Sequence, residues 1–213
     1  MGAEVIMQSS PSVPTKPVWQ NAIILIYATL ALVIDHYRTV FGKEEWDSHI
    51  FYLIIPLALL LLFRVSPATY GFRWGDWRRG LLLTVGGCAL VAPLLWWAAQ
   101  IPSVNAYYGD IWRQSGWGGV VSWAVQDLFG WEFFFRGFLL FTFAEIAGPW
   151  AILLQAILFT FGHLSKPELE VLSCIAGGSA FGWVAWKTQS FLYPFLIHLF
   201  VELFVVWAAT MIM

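Results

Sequence analysis

The chain has 213 residues, 60% of them hydrophobic and 11% charged, with a net charge of −2, whereas soluble domains carry about 25% charged residues. A mean hydropathy of +0.72 excludes a water-soluble globule, and the small net charge gives no footing for nucleic-acid binding. Apolar stretches recur at the length of about 20 residues that a helix needs to cross roughly 30 Å of hydrocarbon. The chain therefore reads as an all-α, polytopic transmembrane bundle of about seven helices.

Residues 1–17, with the run SSPSVPTKP, read as a disordered polar tail. They lack the basic patch, short apolar core and small-residue cleavage site of a signal peptide, and MGAEVI lacks the Ser or Thr expected for myristoylation. The first helix, 17–34, then doubles as the insertion signal. Shorter 48–63 needs interfacial flanks, and 81–99 is a full span. The stretch 118–146 is too long for one simple crossing and carries Gln126, Asp127, Glu132, Arg136 and Glu145, which points to a broken or re-entrant element. Spans at 149–163, 171–186 and 191–213 complete the set. No soluble insertion, internal repeat or low-complexity run interrupts 18–213, which reads as one membrane domain.

Orientation follows the distribution of Lys and Arg. Arg64, Arg73, Arg78 and Arg79 share one connection, RVSPATYGFRWGDWRRG, whose Trp74 and Trp77 suit an interface. Taking that connection as cytoplasmic puts Lys16 and Lys187 inside, and Arg38 and Lys43 outside among Glu44, Glu45 and Asp47.

The cysteines, Cys88 and Cys174, sit in apolar helices and read as buried free thiols, without the cationic neighbours a nucleophile needs. Most of the 14 Trp and 18 Phe residues suit interfacial belts and interhelical packing. Gly178 and Gly182 have the small-xxx-small spacing that lets two helix backbones approach closely in lipid.

Ionisable groups at membrane depth are harder to explain by packing, since each costs about 2.5 to 3.5 kcal/mol on insertion scales. Glu132 and Arg136 lie four apart, acid first, and can pair along one helix face, either as a staple or as part of a site. His163 closes the fifth span, where an interfacial role is the simpler reading; His36, between Asp35 and Arg38, has the same interfacial reading. His198 and Glu202 are again four apart in an apolar helix and need a shared polar partner. Three helices presenting polar groups to one bundle interior suggest a single site.

The order WEFFFRG (131–137), FTFGH (159–163) and HLFVE (198–202) resembles the CPBP family of CAAX proteases and bacteriocin-processing intramembrane peptidases. The amphipathic run YGFRWGDWRRGL before them adds to the likeness, which covers about 70–205. The resemblance implies metal-free, cofactor-free peptide hydrolysis in the plasma or inner membrane of a prokaryote. Its substrate would be a membrane-embedded, prenylated or leader-bearing protein. In that family the first motif usually holds two adjacent glutamates; the first of them and the second motif's histidine activate water. The last motif's histidine and an asparagine or aspartate hold the oxyanion. Carried over, Glu132 matches the second glutamate, Arg136 the arginine, His163 the water-activating histidine and His198 the oxyanion histidine.

Two positions depart. Trp131 stands where the catalytic glutamate belongs, and an indole offers only an N–H donor, not a base. Glu202 stands where asparagine is commonest; buried and neutral it could donate as asparagine does, and ionised it could be a relocated base. Asp127, one turn before Trp131, is another replacement base. A Zn²⁺ site on His163, His198 and Glu202 is a further alternative. Two functions stay open: an intramembrane endopeptidase, and a non-catalytic relative that scaffolds a partner membrane protein. The paired broken helices of a transporter are not seen in the sequence.

Overall fold

The computed structural model describes residues 17–42 and 44–212, which form nine α-helices and no strand among the described residues. The N-terminal tail, Lys16 and Lys43 lie outside them. In chain order the helices are α1 (Val18–Tyr37), α2 (Glu44–His49), α3 (Ile55–Leu62), α4 (Trp77–Ala98), α5 (Pro102–Glu132), α6 (Leu140–Ala147), α7 (Ala151–Gly162), α8 (Glu168–Thr188) and α9 (Leu192–Ile212). A wide π-helical turn, Ile50–Ile54, fuses α2 to α3, and another, Phe133–Leu139, fuses α5 to α6. Five runs are long and apolar enough to cross a membrane, one of them the 61-residue stretch Pro102–Gly162, and Trp46–Leu62 is a shorter apolar helix. A multi-pass helical bundle is thus what the hydropathy demanded.

The composite segment differs from the expected 118–146. It begins at Pro102, and Asn105, Asp110, Arg113 and Gln114 dilute the hydropathy of its first half. Val104 and Tyr108 bury one face of this half against Val205, Val206 and Ala209 of α9, and Asn105 Nδ2 donates to the Ala209 carbonyl at 3.2 Å. The bend comes at Gly116, whose φ of 60° and ψ of 174° are non-helical and cost glycine least. Beyond it the helix runs on through the π turn to Ala147, and every residue from Gly130 to Phe143 is buried. A helix buried all round is the centre of a bundle.

Around that centre, α8 packs closely on α7 and α9 packs on α4 and α5. Gly178 and Gly182 do serve close approach: a Cβ on Gly178 would meet Phe159 at 3.1 Å and Ala156 at 3.2 Å, and one on Gly182 would meet Gln155 Nε2 at 2.5 Å. Gln155 Nε2 uses the gap to donate to the Gly178 carbonyl at 2.8 Å. Cys174 is buried as expected, but Cys88 is only half-buried, and both are free thiols.

At one end of the bundle the arginine-rich connection folds onto the α8–α9 turn. Asp76 N donates to the Thr188 carbonyl at 2.9 Å and Phe191 N to the Gly71 carbonyl at 3.2 Å. Tyr193 Oη donates to the Trp74 carbonyl at 2.7 Å, and Arg79 Nη1 to the Lys187 carbonyl at 3.4 Å. Arg73, Arg79 and Lys187 therefore share one face. Glu145 joins α1 and α6 nearby, accepting from Asn21 Nδ2 and Tyr70 Oη.

Candidate active site

At the opposite end of the bundle a cavity of about 480 Å³ opens between α1, α2, α5, α7, α8 and α9. His163, His198, Glu202, Asp127 and Trp131 all line it, so residues 127 to 202 in sequence meet in one place. Glu132 and Arg136 lie behind its wall, both 0% exposed.

The wall is built by the π turn. It begins at Phe133, directly after Glu132, and such single-turn expansions are frequent at functional sites. Glu132 Oε1 accepts from His198 Nδ1 at 2.6 Å and lies 3.1 Å from Arg136 Nη1. One carboxylate thus anchors α9 to the central helix and offsets a fully buried guanidinium, whose Cζ lies 3.9 Å from the Phe159 ring centroid and 5.1 Å from that of Phe181. Unpaired, either charge would be costly to bury, and breaking such a pair typically costs about 3 to 5 kcal/mol.

His163 ends α7. Its Nδ1–H donates to the Phe159 carbonyl at 2.9 Å, which leaves Nε2 as the lone-pair nitrogen. Its ring faces that of His198, with centroids 6.3 Å apart and planes 25° apart. His198 spends Nδ1 on Glu132, which leaves Nε2 for the cavity, a donor there when both ring nitrogens carry protons. Two oriented imidazoles on one cavity can take a proton from a water and hydrogen-bond a developing oxyanion.

Trp131 fills the place that the resemblance gives to a glutamate. Its ring meets Tyr52 edge-to-face at 4.8 Å, Phe135 at 5.0 Å and His163 at 5.7 Å. A Cβ on Gly162 would lie 2.8 Å from Trp131 Cη2, so the indole is fitted against a backbone surface kept bare for it.

Asp127, a candidate replacement base by its place one turn before Trp131, lines the cavity on the same helix. Residues the sequence did not flag complete the rim. Lys166 stands 4.0 Å from Glu170 through Nζ, and Tyr108 Oη donates to Glu170 at 2.7 Å. Lys166 follows His163 by three positions in HLSKPE, and that spacing was the available signal. Exposed His36 lies at the mouth, as an interfacial residue should. Among the described residues no three groups from His, Cys, Asp and Glu converge closely enough to hold a metal ion. The Zn²⁺ alternative therefore has no donor set.

Residues 112–204 match the family model described as type II CAAX prenyl endopeptidase Rce1-like. This segment is similar to that family. The match is what the CPBP resemblance anticipated, and it contains all three motifs, Trp131, Asp127 and Lys166. The Rce1-like segment starts near the Gly116 bend, so the amphipathic run at 70–81 lies outside it. No curated protein and no solved structure matches the chain.

Proposed function

We propose that this protein is a CAAX-type intramembrane endopeptidase that hydrolyses a peptide bond in a lipidated or membrane-embedded protein. The observation that carries the reading is the pair of facing imidazoles, each with one nitrogen committed to an anchor and the other left for the cavity. A purely structural bundle has no need to orient two histidines in this way.

In the proposed reaction His163 Nε2 takes a proton from water as the water oxygen bonds to the scissile carbonyl carbon. The C=O π pair moves onto oxygen, where His198 Nε2–H, in the imidazolium form, hydrogen-bonds it. Glu132, 2.6 Å from Nδ1, stabilises that cation. As the pair returns, the C–N bond breaks and the leaving nitrogen takes the proton from His163. The Asp127 carboxylate, on the same cavity, supplies the basicity that Trp131 cannot, assisting His163. Glu132 has both histidine and arginine on one oxygen, which supports an anchoring role rather than contact with water.

A second reading rests on Trp131. Its fitted surround, with Gly162 bare beneath it, favours a pseudo-protease that keeps the bundle to scaffold a partner. The two separate on the N-termini of membrane proteins, compared by mass spectrometry in cells with wild type or His163→Ala at equal expression. A peptidase yields N-termini that vanish in His163→Ala, identifying its substrates. Identical profiles, with a partner co-purifying equally with both forms, overturn the peptidase reading in favour of the scaffold.

A further inference from the structure

We propose that the basic face at the clasp end of the bundle is a binding site for one anionic phospholipid, held through its headgroup phosphate. The site stands whether the distant cavity cuts peptides or only scaffolds a partner. Arg73 and Arg79 reach their acceptors on the end of α8 across 116 and 108 positions of sequence. Backbone makes this possible: a Cβ on Gly75 would run into the Thr188 carbonyl, so only glycine lets the connection press so close. Arg73 Nε donates to the Gln189 carbonyl at 3.1 Å and Nη2 to Gln189 Oε1 at 3.3 Å. Arg79 Nη1 donates to the Lys187 carbonyl, and its Nε lies 3.6 Å from Asp76 Oδ2. Both guanidiniums are thus fixed from behind, and Nη1 of Arg73 and Nη2 of Arg79 keep N–H donors that these contacts leave unused. Arg78 rests with its Cζ 5.4 Å from the Trp77 ring centroid. Among the described residues neither Arg78 nor half-buried Lys187 pairs with a carboxylate.

Within 71–79 and 187–193 four cations stand against one acid, Asp76. That excess suits an anion, and a guanidinium fork matches phosphate oxygens with two parallel hydrogen bonds. The surroundings point to a lipid rather than a free phosphate. Trp74 and Trp77 are exposed in the same connection, and tryptophan collects at the depth of bilayer headgroups. Trp77, Leu81 and Val85, spaced by one helical turn each, are all exposed on α4, so an apolar track for an acyl chain leads away from the cations. Basic clusters beside a membrane span attract anionic lipids. Here the cluster is also rigid, so it selects a bound headgroup over a diffuse film. The lipid bridges the connection and the end of α8, adding to the main-chain bonds that already join them.

The test is native mass spectrometry of the full-length protein in detergent micelles, with phosphatidylglycerol or phosphatidylcholine of the same acyl chains added at equal concentration. Wild type is expected to retain one phosphatidylglycerol with at least about tenfold preference, as two or more engaged cations imply. Its thermal midpoint should rise with that lipid, because a ligand of the folded chain alone stabilises it. Arg78→Gln/Lys187→Gln, which alters neither side chain that fastens the clasp, loses most of the preference and of the thermal shift. Arg113→Gln, which removes a charge from the first half of α5, keeps both. Equal retention of the two lipids by wild type, or equal losses in Arg113→Gln and the double variant, overturns the site. A double variant that melts lower even without lipid would show that these charges hold the clasp itself, which also overturns it. Glycerol 3-phosphate at millimolar concentration, a headgroup without chains, should not displace the lipid; displacement overturns the lipid as the occupant.

Discussion

Trp131 is seated against bare backbone at Gly162, a glycine whose place before a histidine carries no outward sign of what it faces. Gly162→Ala favours helix by about 1 kcal/mol but drives a methyl to within 2.8 Å of Trp131 Cη2. Overpacking of this kind costs about 1 to 3 kcal/mol, so a lower thermal midpoint is expected in detergent. Adding Trp131→Phe should recover most of it. A stable single variant, or one that the double does not improve, would show that the indole is not seated against Gly162. Glu132 and Arg136 were more legible, since a four-residue spacing with acid first predicts their contact directly. Which histidine the carboxylate would engage was not, because that depends on how α9 crosses the central helix.

Among the elements, the late spans were readable from hydropathy and the first half of α5 was not. A half-buried helix with polar residues on its outer face averages to loop-like hydropathy, and only the spacing of Val104 and Tyr108 betrays it. The π turn at Phe133–Leu139 is invisible for a related reason: apart from Arg136 its residues are apolar or glycine and so carry no phase. The glycines of α8, by contrast, announced the α7 contact. Gly178→Leu forces a branched side chain against Ala156 and Phe159, and α7 carries His163 at its end. The expected outcome is a less stable protein whose His163-dependent cleavage falls at least about tenfold, while Gly177→Leu, at a position with open space around it, leaves both near wild type. Equal effects at the two positions would refute the close-approach role.

For the molecule as a whole, the site is assembled from groups far apart in the sequence. The gathering of charged groups into one cavity was only partly visible in the sequence: the three motifs named α5, α7 and α9, but nothing in the chain said that α1 and α2 would bring Asp35 and Asp47 to the same mouth.

The clasp between residues 71–76 and 188–193 gives the bundle something like the spine of a book. Main-chain bonds fasten one edge, while at the other, cavity edge the helices meet largely through side chains such as Tyr108 with Glu170 and Asn105 with Ala209. Local opening follows the weakest set of bonds, so loosening at the cavity edge leaves the clasped edge in order, as pages spread while the spine holds them.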